Sequence, residues 1–191
     1  MRRLLLVRHG PTHAKGMVGW TDLPADLSDT AALARLAAWL PDDASVISSD
    51  LRRAVETANA IAGPRHRHPH ATALREMHFG DWEMKTWREV SQTDPDRIRS
   101  FYETPGDIAP PGGESWNDLH ARVDPAIDTL LRHTAGDVVV VCHFGVILSQ
   151  IQRATGRSAY ETFGQKLDNL SISEIHISAE DWQTGVINHI P

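Results

Sequence analysis

Two histidines and three arginines stand where strand-like runs of the sequence end. They are Arg8-His9 after the run 4–7, Arg52-Arg53 after the run 45–48, and His143 after the run 138–142. Continuous apolar runs of this length are typical of strands buried on both faces of a parallel sheet. The carboxyl ends of such strands share one rim of the sheet, where ligands bind in open α/β folds. The pattern therefore predicts that these side chains converge on one site.

A site built from imidazoles and guanidiniums favours an anionic ligand. Cationic groups this close repel one another, and an anion among them relieves the repulsion. The planar guanidinium fork matches the oxygens of a phosphoryl group. Because Arg52 and Arg53 are adjacent, only one of them is expected to point inwards. We therefore predict a phosphate-sized anion at the strand ends.

The elements that must position this site alternate along the chain. Strands are predicted at 4–7, 45–48, 138–142 and 171–178. The last of these alternates between apolar and polar residues, which suits a position nearer the edge of the sheet. Helices are predicted after Ser28 as the N-cap, from near Ser49, over 114–133 and after Gly145. This order implies an α/β fold, a three-layer αβα sandwich with a mostly parallel sheet and helices on both faces.

Residues 77–113 interrupt the alternation of strands and helices. They combine aromatic side chains with charges and end in a Pro-Pro-Gly-Gly sequence. Segments of this kind often cover the site in α/β enzymes, because ligands bind beyond the strand ends. We expect an inserted helical flap within a single domain that spans residues 1–191.

Composition narrows the class of protein. The 191 residues carry 19 Lys and Arg against 25 Asp and Glu, a net charge of −6, and 41% of them are hydrophobic. These values are typical of a globular domain, and the net acidity weighs against a nucleic-acid partner. Apolar runs are far shorter than the roughly 20 residues that span a bilayer. A cytoplasmic protein without a membrane partner is expected.

Five motifs in series resemble the histidine phosphatase superfamily, which contains phosphoglycerate mutase and many small phosphatases. They occupy residues 6–12, 49–58, 74–83, 111–115 and 139–145. The first carries the Arg-His-Gly strand end, the second the family's further arginine, the third its acid and the fifth its second histidine. The resemblance spans nearly the whole chain and implies a phosphoglycerate mutase-like fold.

The resemblance implies a role for each matching residue. His9 corresponds to the nucleophile, which forms a phosphohistidine, and Glu76 to the acid that protonates the leaving alkoxide. Arg8, Arg53 and His143 correspond to the groups that hold the phosphoryl oxygens, with no metal and no cofactor. A neutral imidazole is needed for attack, and flanking cations favour that form. The acid needs a pKa raised toward neutrality.

Four further residues are expected to bind substrate. Gly10 lets the chain turn close to the phosphate, and Thr12 adds a hydroxyl. Lys15 stands where many members place an Asn, in a shortened loop, and either supplies a cation or points to solvent. Phe144 stands where a small residue is common, so the floor of the pocket is expected to be narrower or more apolar.

The sequence gives little support for a metal site, a cysteine phosphatase or a nucleotide kinase. His66, His68 and His70 alternate as metal ligands can, but Pro69 interrupts the run, and an exposed basic edge strand is the favoured interpretation. Cys142 is interpreted as the last apolar side chain of its strand, because a cysteine phosphatase needs an arginine six positions further on. The Gly-rich phosphate loop of nucleotide kinases is absent from the sequence.

The sequence thus predicts a histidine acid phosphatase-type enzyme. It would hydrolyse a small phosphorylated metabolite as a metal-independent phosphomonoesterase, in the form of a monomer or homodimer. Two alternatives stay open: a mutase that returns the phosphoryl group to its substrate, and a non-catalytic module that only binds a phospho-ligand. The segment 19–24 is similar to that of α-ribazole phosphatases, in a pattern that other members of the superfamily share.

Overall fold

A computed structural model describes residues 2–179 and 181–191. The elements of these residues, in chain order, are β1 (Arg2–Arg8), α1 (Thr30–Trp39), β2 (Ser45–Ser48), α2 (Arg52–Ile61), β3 (His66–Arg67), α3 (Trp87–Thr93), α4 (Pro95–Glu103), α5 (Trp116–His133), β4 (Val138–Cys142), α6 (Phe144–Thr155), α7 (Ala159–Phe163), β5 (Ile172–Ile177) and β6 (Trp182–Thr184). Single 3₁₀ turns occur at Thr72–Leu74 and Gly80–Trp82. Within the described ranges, every helix is too short or too polar to cross a membrane.

All the strands belong to one sheet, in the order β3-β2-β4-β1-β5-β6. The first four run parallel to their neighbours, whereas β5 is antiparallel to β1 and β6 is antiparallel to β5. Arg8 at the end of β1 pairs with Cys142 at the end of β4, and Ser48 at the end of β2 pairs with Val141. The predicted mostly parallel sheet is confirmed, and three of its strands end at the same rim.

Side chains of the central strands alternate between two hydrophobic layers. In β1, Leu4 and Leu6 pack with α5 and α6, whereas Leu5 and Val7 pack with α1 and α2. The alternation arises because successive side chains of a strand point to opposite faces of the sheet. All four side chains are fully buried, as expected for strands covered on both faces. The predicted three-layer αβα sandwich is confirmed.

The predicted strand 171–178 exists as β5, and its predicted position nearer the edge of the sheet is confirmed. It lies second from the edge, between β1 and β6, and its first four residues are buried. The edge itself is formed by β6, a strand of three residues. At the opposite edge is β3, so His66 belongs to the short edge strand that the sequence favours.

All four predicted helix starts differ from the structure by one to three residues. α6 begins at Phe144, whereas the sequence predicts a start after Gly145. α1 is capped by Asp29 rather than Ser28, because the Asp29 carboxylate accepts a hydrogen bond from the third helical amide. α2 begins at Arg52 rather than near Ser49, since the Ser49 amide still pairs with the sheet. α5 begins at Trp116, where the preceding serine and Asp118 form a capping box.

The segment 77–113, predicted as an inserted helical flap, contains a 3₁₀ turn and the helices α3 and α4. Trp82 and Phe101 are buried, with ring centroids 5.5 Å apart and planes inclined by 84°. Both rings join the hydrophobic layer of α5 and α6. The segment is therefore packed onto the same side of the sheet as these two helices.

Candidate active site

The residues that follow β1 and β4 face each other across the rim of the sheet. The His9 amide donates to the Cys142 carbonyl at 3.1 Å, which continues the pairing of the two strands by one residue. The His9 and His143 ring centroids lie 5.1 Å apart, with planes inclined by 58°. This separation is close to the roughly 4.8 Å spacing of neighbouring strands. Strand pairing thus brings together two imidazoles that are far apart in sequence.

Hydrogen bonds around His9 define which ring nitrogen carries the proton. Nδ1 lies 2.7 Å from the Gly10 carbonyl, so this nitrogen must donate. Nε2 accepts from Nε of Arg53 at 3.2 Å and is therefore unprotonated. Burial, followed by the charge of Arg53, lowers the pKa of His9 to about 3. At neutral pH the ring is uncharged and carries a lone pair on Nε2, the form that attacks an electrophile.

Arg53 is the inward member of the arginine pair. Its side chain is fully buried and donates from Nη1 to the Thr21 carbonyl at 2.9 Å and from Nη2 to the Gly19 carbonyl at 2.7 Å. Arg52 is exposed and pairs with Glu56, one helical turn along, at 3.0 Å. The helix therefore presents one guanidinium to the site and the other to solvent.

Arg8 and His143 have buried nitrogens that no other described residue satisfies. Arg8 donates from Nη1 to the Leu167 carbonyl at 2.5 Å and lies over the Phe144 ring, 5.3 Å from its centroid. Within the described ranges, its Nε and both ring nitrogens of His143 lack hydrogen-bond partners. Burial, and next the charge of His9, lowers the pKa of His143 far below its ordinary value. Buried nitrogens are rarely left unpaired, so these atoms are suited to hold a ligand.

Glu76 supplies a buried carboxyl beside the cationic groups. Its Oε1 accepts from the Met77 amide at 2.9 Å and from the Gly145 amide, in the first turn of α6, at 3.0 Å. Burial outweighs these bonds and the nearby arginines, and it raises the pKa of Glu76. A Cβ at Gly145 would lie 2.5 Å from Oε1, so glycine allows this approach. A buried carboxyl with a raised pKa is suited to general acid catalysis.

These groups border a cleft of about 420 Å³. The residues on its walls are Arg8, His9, Pro11, Thr12, His13, Ala14, Gly16, Met17, Val18, Arg53, Glu76, Phe79, Phe144 and Asn169. His143 is fully buried, and its ring centroid lies 5.1 Å from that of His9. The two arginines contribute cationic groups to the walls of the cleft, and Phe79 and Phe144 contribute apolar surface.

Of the four further residues predicted to bind substrate, some line the cleft and others do not. Thr12 and Phe144 line the cleft. Gly10 is buried and does not line the cleft; a Cβ there would lie 2.8 Å from Leu27 Cδ2 and 3.2 Å from the Asp26 carbonyl oxygen, so a larger residue would need the segment 25–27 to shift. Lys15 is exposed, whereas its neighbours on both sides belong to the wall of the cleft. A binding role for Lys15 stays a prediction.

The alternating histidines divide between two neighbourhoods. The rings of His66 and His68 lie 4.4 Å apart, nearly perpendicular. His70 Nδ1 lies 3.0 Å from Nη2 of Arg67 and 3.3 Å from the Ser48 hydroxyl. Pro69 thus separates the third histidine from the first two, as the sequence indicates.

Two side chains that sequence reasoning missed support the site. Asn169 lines the cleft and donates from Nδ2 to the His9 carbonyl at 2.8 Å. Trp20 donates from Nε1 to the Glu76 carbonyl at 2.8 Å. Both hydrogen bonds are accepted by backbone carbonyl groups, and a pattern of side chains in the sequence does not predict such bonds.

Glu83 was also missed, although it stands within the acidic motif at 74–83. Its carboxylate accepts from the amides of Gly19 at 3.1 Å, Trp20 at 2.8 Å and Phe79 at 3.1 Å, and from the Thr21 hydroxyl at 2.8 Å. Although burial opposes ionisation, these bonds hold the pKa of Glu83 below its ordinary value. Glu83 therefore fixes the segment 19–21, whose carbonyls in turn hold Arg53.

We expect Glu83→Ala to weaken the binding of inorganic phosphate roughly tenfold, because Arg53 loses the fixed carbonyls that orient it. Isothermal titration calorimetry measures the change. Glu103→Ala, at an exposed acidic residue that ends α4, is the matched control and should bind phosphate as the unmodified protein does. Equal phosphate affinity in all three proteins would contradict the positioning role.

Comparison with known proteins places the chain in a family. The model of the histidine phosphatase superfamily (branch 1) matches residues 4–190. Metal-independent phosphoserine phosphatase of Arabidopsis thaliana is 30% identical over 190 residues, which cover 94% of this chain and 78% of that protein. Adenosylcobalamin/alpha-ribazole phosphatase of Escherichia coli is 30% identical over 195 residues, covering 97% and 95%. A mycobacterial glucosyl-3-phosphoglycerate phosphatase, solved with inorganic phosphate, superposes with a TM-score of 0.85 at 27% identity, covering 99% and 98%. The chain therefore belongs to the histidine phosphatase superfamily.

Proposed function

We propose that the protein hydrolyses phosphomonoesters through a phosphohistidine on His9, without a metal ion. One observation carries the proposal: a neutral His9 with an unprotonated Nε2 shares a cleft with Glu76, a buried carboxyl whose pKa is raised. A nucleophile and a proton donor side by side are what transfer of a phosphoryl group from an alcohol requires. The phosphatase names of the relatives support the same reaction.

In the first step, Nε2 of His9 attacks phosphorus opposite the ester oxygen. The N–P bond forms while the P–O bond to the alcohol breaks, and the electron pair leaves with the alkoxide oxygen. Glu76 donates its proton to that oxygen, so a neutral alcohol departs and a carboxylate remains. Arg8, Arg53 and His143 surround the non-bridging oxygens and stabilise the charge that develops on them.

In the second step, a water molecule takes the place of the alcohol. The Glu76 carboxylate accepts a proton from this water as the water oxygen attacks phosphorus. The N–P bond breaks, the electron pair returns to Nε2 of His9, and inorganic phosphate forms. Glu76 is protonated again, and both residues are restored for the next cycle.

We expect the protein to release inorganic phosphate steadily from an activated aryl phosphate, and His9→Ala to lower kcat at least 10³-fold because no nucleophile remains. A phosphate-release assay measures both rates. His133→Ala, at an exposed histidine that ends α5, is the control and should retain full activity.

Four outcomes would count against the proposal. Equal rates of phosphate release by the unmodified protein and by His9→Ala would exclude His9 as the nucleophile. Isomerisation of phosphoglycerate with little phosphate release would indicate a mutase, and binding without turnover would indicate a phospho-ligand module. A large loss of activity on treatment with a chelator would contradict the absence of a metal.

Glu76→Gln should lower kcat roughly 10²–10⁴-fold for alkyl phosphates and much less for activated aryl phosphates, because only a poor leaving group needs the proton. Steady-state kinetics with both ester classes measures the difference. A uniform loss across the two classes would exclude Glu76 as the acid.

The same variant has a second readout in the pH profile. Glu76 must be protonated in the first step, so kcat/KM for alkyl phosphates should fall as pH rises through its raised pKa. Glu76→Gln should lack this fall, since its amide does not titrate. Persistence of the same basic limb in the variant would assign the titration to another group.

A further inference from the structure

A second cavity, apolar and about 130 Å³ in volume, adjoins the phosphate cleft. Glu76, Phe79 and Phe144 belong to the walls of both spaces. The remaining large side chains around it are Met77, Phe101, Tyr102, Trp116, Leu148 and Phe163. The last five come from α4, α5, α6 and α7, so four helices contribute to the walls of a space that Glu76 also lines.

We infer that this cavity receives the alcohol part of the substrate, and that this alcohol carries an uncharged, ring-sized apolar group. The inference rests on the proposed function. The proton of Glu76 goes to the leaving oxygen, so that oxygen must lie within hydrogen-bond reach of the carboxyl. With phosphorus held among the arginines, the carbon attached to the leaving oxygen points away from them. The apolar cavity shares Glu76, Phe79 and Phe144 with the cleft but is not lined by either arginine, so it is the space next to the carboxyl that can receive this carbon.

The volume of the cavity and the aromatic residues that line it suit one ring. Its volume of about 130 Å³ is close to that of an apolar protein cavity of roughly 150 Å³ that binds benzene. Its walls are themselves rings in edge-to-face contact: Trp116 and Phe163 at 4.8 Å, and Phe101 and Tyr102 at 5.0 Å between centroids. Such walls favour a further aromatic group in the space between them.

The charges around the cavity disfavour a polar alcohol. Of the described residues that line it, Glu76 alone is ionisable near neutrality, and burial raises the pKa of Tyr102. The Tyr102 hydroxyl lies 3.6 Å from the sulfur of Met17, so it is directed to a partner within the protein. A carboxylate on the alcohol, in addition to that of Glu76, would be desolvated here without a cationic partner. The cavity therefore selects against phosphoserine and phosphoglycerate.

Four esters test the inference: 2-phenylethyl phosphate, ethyl phosphate, phosphoserine and 3-phosphoglycerate. The first two have alcohols of similar acidity and differ by one ring. Burial of that ring in the transition state should raise kcat/KM roughly 10²-fold for 2-phenylethyl phosphate over ethyl phosphate. The two charged esters should be poorer substrates than 2-phenylethyl phosphate. Equal values for the phenyl and ethyl esters, or a preference for a charged ester, would overturn the inference.

Substitutions on α7 localise the effect. Phe163 is half-buried against Trp116, whereas Tyr160 on the same short helix is 62% exposed. Phe163→Ala should lower the phenylethyl-to-ethyl ratio of kcat/KM about tenfold, because one wall of the cavity is removed. Tyr160→Ala should leave that ratio unchanged. An unchanged ratio in Phe163→Ala would show that the ring binds elsewhere and would overturn the assignment.

Failure of the inference and failure of the proposed function give different results. If the protein hydrolyses all four esters without a preference for 2-phenylethyl phosphate, the cavity does not bind the alcohol, but the proposed phosphatase activity is supported. If it hydrolyses neither these esters nor an activated aryl phosphate, the proposed function fails and the inference falls with it.

Discussion

The site depends on one constraint, which is the confinement of two imidazoles and two guanidiniums in a space from which most water is excluded. None of these groups can move away from the others. His9 and His143 follow neighbouring strands, with ring centroids 5.1 Å apart, and both arginines are held by backbone carbonyls. The two imidazoles are therefore neutral. Of the four groups, only the histidines can lose their positive charge near neutral pH, because arginine stays protonated. A neutral His9 with an unprotonated Nε2 is the direct consequence.

The way in which the guanidiniums are held keeps their charge available. Within the described ranges, neither Arg8 nor Arg53 forms a salt bridge with a carboxylate, and each donates instead to a carbonyl oxygen. A carboxylate would orient a guanidinium but would also compete with an incoming phosphate for it. The carboxylate of Glu83 binds the segment 19–21 and not Arg53 itself, so it acts on Arg53 only through the carbonyl groups of that segment.

Sequence reasoning was strongest where regular structure places the side chain. The convergence of His9 and His143 follows from two apolar runs, because parallel strands end at one rim. Glu76 required the family resemblance, since it stands in a segment without helical or strand periodicity. The sequence does not predict that Asp29 rather than Ser28 caps α1, because both residue types cap helices well. It does not predict the apolar cavity either, because the walls of the cavity come from separate elements, and local sequence patterns do not define how these elements pack together.

The protonation state of His9 is the most direct test of how the site works. In ¹⁵N NMR spectra of the labelled protein, with the ring signals assigned by comparison with His9→Gln, we expect a neutral ring from about pH 7 down to about pH 5, in line with a pKa of about 3. We also expect the proton to stay on Nδ1 throughout. A titration midpoint near the ordinary histidine value of about 6.5, or a neutral ring protonated on Nε2, would show that His9 is not held as a neutral nucleophile.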